Sequence, residues 1–436
     1  MKTHTKLTLA CALALGANIA SPAVAQDGES EASQAAEQSP IQARAEQIVA
    51  LINGEGDPEE IFTAGFLEQF PPEQLATLSQ QLTAQFGAAL GVEEVNPPTG
   101  NRSALAIRME RAIGRGGLAI DPNDDNKVSE LLFQSFEPVG DTPAKITADL
   151  EALPGNVSAW FGPLDGSTPV ISLAPDTQMP LGSTFKLYVL ATLAREIEDG
   201  KRSWNDTVTL SGTRSFPSGM MQDWPADAPV TLHTLASMMI SISDNTATDA
   251  LITELGRDAV FQTLVDSGHV QPELTAPFLT TREMFLLKGG PAERLAAYRA
   301  GTPEERLEIL YAIEDVAVAV SQIQSAFSAG PVAIDVEWYA SAPDLAGLFR
   351  LMRAEANEGA FDVMAINPSM PANARENWSY AGYKGGSEPG VLNLTWLLTD
   401  KDGRDHILFL SWSNEEANLD ETALELIAQR ILSLPQ

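Results

Sequence analysis

Residues 180–190 read PLGSTFKLYVL, and the rest of the chain is read differently according to whether this is a plain helix start or a nucleophile beside its base. As local structure, Gly182 and Ser183 open a helix, and Lys186 is a solvated lysine one turn in. As chemistry, Ser183 lies near the positive end of a helix dipole, where an oxyanion is favoured. Lys186, three residues on, shares its face and comes within reach of the hydroxyl. With 30 serines and nine lysines in 436 residues, about 0.6 such Ser-x-x-Lys matches arise by chance, so spacing alone decides nothing. The motif occurs once.

The whole chain narrows the choice. Lys2 and Lys6 precede an apolar run from Leu7 to Ala20, and Ala23-Val24-Ala25 fits a signal-peptidase site, so residues 1–25 read as an export signal. The run is too short to span a bilayer, and no later stretch reaches the roughly 18 apolar residues of a transmembrane helix. Cys11 lies too early for a lipidation site. The expectation is an exported protein without a stable membrane anchor, periplasmic or secreted after cleavage near Ala25. Cys11 is also the only cysteine, so disulfides, thiolate catalysis and cysteine-rich metal sites fall together. The formal charge of −32 argues against nucleic acid as a partner, because phosphate binding needs clustered Lys and Arg. With only nine lysines, any lysine inside an apolar, patterned segment calls for an explanation.

Residues 26–39 are acidic, small and free of aromatics, and read as a disordered leader. Helical periodicity then covers 41–53, 57–68 and 71–89. It gives way to short alternating runs, ALAIRMERA and KVSELLFQSF, between Gly- and Asn-rich turns. Helices followed by a small antiparallel sheet make an α+β domain over about 40–140. Asp121-Pro-Asn123-Asp-Asp125 has the opening spacing of an EF-hand. That loop needs Gly at its sixth position and Glu at its twelfth, where Asn126 and Leu132 stand, so it reads as a solvated turn.

A second unit fills 141–436. A helix, ITADLEAL, is followed by the runs VSAWFG and PVISLA around Asp165-Gly166, a hairpin signal. After a long helical middle, VLNLTWLLTD and HILFLSWS flank Asp402-Gly403, and an amphipathic helix closes the chain. Strands at both ends with helices between give an α/β sandwich, its antiparallel sheet assembled from the two ends. Residues 288–336, rich in Ala, Glu and Arg, read as a helical insertion.

Two more short motifs follow PLGSTFKLYVL. Ser243-Asp244-Asn245 separates two apolar helical runs, where all three residues also serve as helix caps. Lys384-Gly385-Gly386-Ser387 precedes a strand, where a loop that happens to hold a lysine is the plain alternative. Singly, each plain reading stands. In this order and in these settings the three together resemble the serine β-lactamase and penicillin-binding protein superfamily, with Ser-x-x-Lys at a helix start, then Ser-Asp-Asn, then Lys-Thr/Ser-Gly on an edge strand. The 60-residue step from Ser183 to Ser243 is similar to the class A enzymes. Further stretches, PSGMMQDWP, PFLTTREMFLLK, EWYASAPDLAGLF and KGGSEPGVL, resemble the cephalosporin-esterase-like proteins of clavulanic acid gene clusters. In those proteins the front domain is similar to steroid-isomerase/polyketide-cyclase cones.

The resemblance implies roles. Ser183 would be the acylated nucleophile and Lys186, neutral, its base. Ser243 would carry the proton to the leaving group. Asn245 would bind the substrate amide and help position Lys186. Lys384 would bind a substrate carboxylate, with Gly385 and Gly386 lining the same strand, and the N–H groups of Ser183 and Ser387 would form an oxyanion hole. The substrate would be a small molecule: a β-lactam, a cephalosporin ester or a peptidoglycan-like peptide. No cofactor or metal is implied.

Two positions depart from the pattern. Gly385 stands where Thr or Ser is usual, so recognition of the substrate carboxylate is affected. Class A enzymes deacylate with a glutamate in an omega loop. Here Gln271-Pro-Glu-Leu-Thr275 puts Gln271 at that place, leaving Glu273 as the candidate base or as an ordinary surface carboxylate. A Ser-His-Asp hydrolase would draw on His233, His269 or His406, but no Gly-x-Ser-x-Gly elbow is present. A penicillin-binding D,D-peptidase and a β-lactam-binding protein with little turnover stay open.

Overall fold

A computed structural model describes residues 39–95, 101–317, 320–370 and 372–434. The export signal expected at 1–25, and the acidic leader up to residue 38, lie outside the described residues. The chain divides into two compact units between Gly140 and Asp141.

In the first unit, helices Pro40–Ile52, Pro58–Ile61, Ala64–Gln69 and Pro72–Phe86 precede a four-stranded antiparallel meander. Three of them begin on proline, whose fixed φ and missing N–H suit a first helical turn. Ser39, Asp57 and Thr63 cap three helices through their side chains. The helix expected over 57–68 is broken at Phe62, which is buried and forms a bridge to Val128 of the sheet. The core joins Ile41 and Ile48 of the first helix to Leu105, Ile107, Leu118 and Val128 of the strands.

Two strands, Ala89–Val95 and Ala112–Asp121, lie where the sequence suggested a helix end and turns. The second carries three glycines, which normally weaken a strand. Their use here is close approach: a Cβ on Gly116 would lie 1.8 Å from the Leu132 carbonyl oxygen, beside a bulge at Arg115/Gly116.

The second unit is a mixed α/β fold around a five-stranded antiparallel sheet. Its order is Tyr380–Glu388, Val391–Thr399, Asp405–Ser413, Asn156–Pro163, Ile171–Leu173, so the two ends of the unit supply one sheet. The helices Pro143–Glu151 and Glu421–Leu432 pack on one face over Trp378, Trp396, Trp412 and Leu410. On the other face the large core surrounds Lys186–Glu198, whose first nine residues are all buried. Arg430, on the last helix, binds Asp141 (3.0 and 2.7 Å) and Asp149 (2.7 Å), tying the end of the unit to its beginning. Within 288–336 run three short helices, Ala292–Ala300, Pro303–Ala312 and Val320–Ser328. No helix among the described residues is long and apolar enough to cross a membrane.

Candidate active site

The segment PLGSTFK folds as a 3₁₀ turn, Gly182–Phe185, that runs into the helix beginning at Lys186. Packing on both sides fixes the turn. Phe185 is fully buried and stacks on Trp338 at 3.6 Å between ring centroids, and the Leu181 N–H donates to the Trp338 carbonyl at 2.9 Å. On the opposite side lies Tyr380–Glu388, an edge strand. A Cβ on Gly386 would come within 2.2 Å of the Leu181 carbonyl oxygen and 2.4 Å of the Ser183 nitrogen. Only glycine lets the strand backbone approach the serine turn this closely. Ser183 is half-buried and lines a cleft of about 370 Å³. Among the described residues no hydrogen bond ties down its hydroxyl.

Lys186 is wholly buried below that cleft. Its Nζ contacts the Ser243 carbonyl (2.8 Å), Ser243 Oγ (3.0 Å) and Asn245 Oδ1 (2.8 Å). The Asn245 orientation follows from its amide, which donates to the Phe216 carbonyl at 3.1 Å. Ser243 holds a left-handed backbone (φ 58°), a conformation unfavourable for serine, and its strain aims the hydroxyl at the lysines. Asp244 anchors the turn, accepting the N–H groups of Met220 (2.7 Å), Met221 (2.8 Å) and Ala247 (2.9 Å). Lys384 completes the group. Its Nζ donates to Ser243 Oγ at 3.1 Å and to the Gly385 carbonyl.

Among the described residues no carboxylate touches either lysine amine. Burial, and then repulsion by Lys384, hold Lys186 well below the ordinary lysine range, with buried Asp249 and Asp244 opposing. Burial brings Lys384 down to about 7. A neutral Lys186 has two N–H groups and one lone pair for three neighbours. The Ser243 carbonyl and Asn245 Oδ1 only accept, so the lone pair is left for a hydroxyl proton.

The structure thus brings together Ser183, Lys186, Ser243, Asn245, Lys384, Gly385, Gly386 and Ser387, all but Lys186 on the cleft surface. Glu273 is different. It lies on the exposed turn Pro272–Thr275, next to exposed Gln271, and neither lines the cleft. The proline-led turn carries both side chains outward. His233, His269 and His406 lie elsewhere too; His269 bonds the Tyr339 carbonyl (2.8 Å) and His406 bonds Asp400 (3.0 Å). The glycine at 385 has a local cause, since a Cβ there would meet the Tyr383 hydroxyl at 2.1 Å. Tyr383, itself in the cleft wall, fills the space a Thr or Ser side chain would take.

Sequence reasoning missed one group. Lys288, Glu337 and Glu388 form a buried ion cluster at the cleft wall, with Lys288 Nζ bonded to Glu337 Oε1 (3.2 Å) and to Glu388 Oε1. Glu337 and Glu388 line the cleft. The available signal was Lys288 itself, a lysine closing the apolar run EMFLLK.

Residues 142–432 match the family model described as "Beta-lactamase enzyme family". No curated protein matches. Among solved structures, the β-lactamase of Sphaerobacter thermophilus is similar at 22% identity, over 67% of this chain and 98% of that one, with a TM-score of 0.46. A β-lactamase from Chitinophaga pinensis is 15% identical over 66% and 96%, TM-score 0.45. A mutant of PBP-A, in an acyl-enzyme complex with penicillin G, is 15% identical over 67% and 93%, TM-score 0.45.

Proposed function

Because the chain belongs to the beta-lactamase enzyme family, we propose that it is an exported serine hydrolase acting through a covalent acyl-enzyme on β-lactams or small esters. The observation that supports this most is the unengaged Ser183 hydroxyl above a buried lysine that lacks any carboxylate partner. In this reading neutral Lys186 takes the Ser183 proton as Oγ attacks the carbonyl carbon. The oxyanion sits between the N–H groups of Ser183 and Ser387, on the two segments that Gly182 and Gly386 allow to touch. When the tetrahedral centre collapses, the C–N or C–O bond breaks. Ser243 then delivers the proton from Lys186 to the leaving atom, with Lys384 holding the other side of the hydroxyl.

Hydrolysis of the acyl-enzyme needs a base for water. Glu273 and Gln271 lie outside the cleft, which favours a long-lived penicilloyl enzyme and slow β-lactam turnover. Esters with small acyl groups leave more room for water, in keeping with the resemblance to cephalosporin-esterase-like proteins. The first unit belongs to this reading as a cone-like accessory domain that supplies no catalytic group.

Intact-protein mass spectrometry tests the proposal. With benzylpenicillin the mature protein should gain one penicilloyl mass, and Ser183→Ala should gain none. Equal labelling of both would remove Ser183 from the mechanism.

A further inference from the structure

Along the edge strand Tyr380–Glu388, side chains alternate between the two faces, so Lys384, Gly386 and Glu388 share one. Gly386 is the point where the strand meets the Ser183 turn. The face therefore carries an amine-bearing residue on one side of the nucleophile and a carboxyl-bearing one on the other, their Cα atoms about 13 Å apart at the usual rise of a strand. If Ser243 and Lys384 serve the leaving group, as in the proposed function on which this inference rests, the acyl part of the substrate extends toward Glu388.

With both acids ionised, that end of the cleft would be one positive charge short. Two carboxyl groups, Glu337 and Glu388, share the single ammonium of Lys288, and the three side chains are 0%, 6% and 0% exposed for Glu337, Glu388 and Lys288. The second oxygen of Glu337 accepts the Trp338 N–H at 3.3 Å. The second oxygen of Glu388 is buried and has no hydrogen-bond partner, although the residue lines the cleft. Nor is charge supplied from nearby. Among the described residues that line the cleft, the other acids are Glu421 and Glu425 and the one basic side chain is Lys384, at the opposite end. Burial, against the opposing Lys288 and with the help of neighbouring Glu337, pushes the Glu388 carboxyl up to about 8, so near neutral pH in the empty cleft a proton takes the place of the missing cation. An ammonium arriving beside it can replace that proton and pair with the carboxylate.

We infer that the acyl end of the cleft binds an ammonium group against Glu388, so that the preferred substrates are zwitterions, with a carboxylate at Lys384 and a protonated amine on the acyl side chain. A buried acceptor without a partner penalises a ligand that leaves it unpaired and rewards one that pairs with it.

Ampicillin and benzylpenicillin differ by one amino group on the acyl side chain and make the test direct. The acylation rate constants of the two, measured on the full-length protein, should differ by about tenfold or more in favour of ampicillin. Glu388→Gln, which keeps the shape and removes the charge, should bring the ratio close to one. Should that variant fold poorly, Glu337→Gln removes the same unit of charge and should shrink the ratio likewise. Equilibrium binding of both penicillins to Ser183→Ala, by calorimetry, should show the same preference without any acylation. A ratio near one in both assays, or a preference that survives both glutamine variants, overturns the inference. A preference seen in binding but no labelling of the wild type would instead overturn the acyl-enzyme reading and leave the ammonium site standing.

Discussion

Lys186 and Lys288 are both sealed from solvent in the second unit, yet their environments drive them in opposite directions. Lys186 meets a carbonyl, an amide oxygen and a hydroxyl; burial and the nearby Lys384 depress its pKa. At Lys288 burial acts the same way, but direct pairing with Glu337 and Glu388 outweighs it and the pKa is raised. Burial alone therefore does not make a lysine a base. What decides is whether an anion touches the amine. Asp244 and Asp249 are close enough to Lys186 to be felt, but both are engaged by backbone N–H groups, Asp249 also by the Ser215 hydroxyl. One lysine is kept ready to take a proton, and the other is fixed as a counter-ion.

The sharpest test of this contrast replaces each lysine with methionine. At Lys186 the general base is lost, and the acylation rate by benzylpenicillin should fall by about 10²–10⁴-fold. The melting temperature should fall less than at Lys288, because the amine that is removed has hydrogen-bond partners but no counter-ion. At Lys288 the same change strands two buried carboxyl groups, and breaking such a cluster costs about 3–5 kcal/mol. Denaturant titration should show that loss. Comparable destabilisation by the two substitutions would break the distinction.

The smallest effect is a slope in pH. Lys384 titrates at about 7 in the folded chain and near the free lysine value of about 10.4 when unfolded. Between those values the unfolded chain binds more protons, so this group makes folding more favourable as pH rises, by at most about 1.4 kcal/mol per pH unit. Below about 7 its contribution is level. Denaturation of the wild type and Lys384→Met between pH 7 and 10 should differ by that slope, and parallel curves would show that Lys384 stays charged in the fold. Acylation should climb over a range well below the free lysine value, since the reaction needs the neutral form of Lys186.

The mixed α/β architecture of the second unit could be read from the sequence because its signals are local. The hairpins at Asp165-Gly166 and Asp402-Gly403 and the alternating runs around them need no distant partner. The residues Ser183, Ser243 and Lys384 could be read for a different reason: each is embedded in a short motif, and the fold then brings them to one place. The Lys288 cluster had no such text. Its members are 49 and 100 residues apart, and Glu388 and Glu337 are ordinary acids until burial gives them a role. In the first unit, glycine misled the reading of Ala112–Asp121. The property that makes it a turn residue also lets Gly116 sit under the Leu132 carbonyl in mid-strand.

The ion cluster of Arg430 with Asp141 and Asp149 has a consequence for how the second unit can be cut and rejoined. It brings the first residue of the unit against its last helix, so the unit is nearly a closed loop of chain. The polypeptide could be opened at the exposed Asp402–Gly403 turn and sealed across the old ends by a short linker, with the order of strands in the sheet unchanged. The same closure makes the unit a cassette that a host protein could carry in one of its surface loops, entering and leaving at a single point.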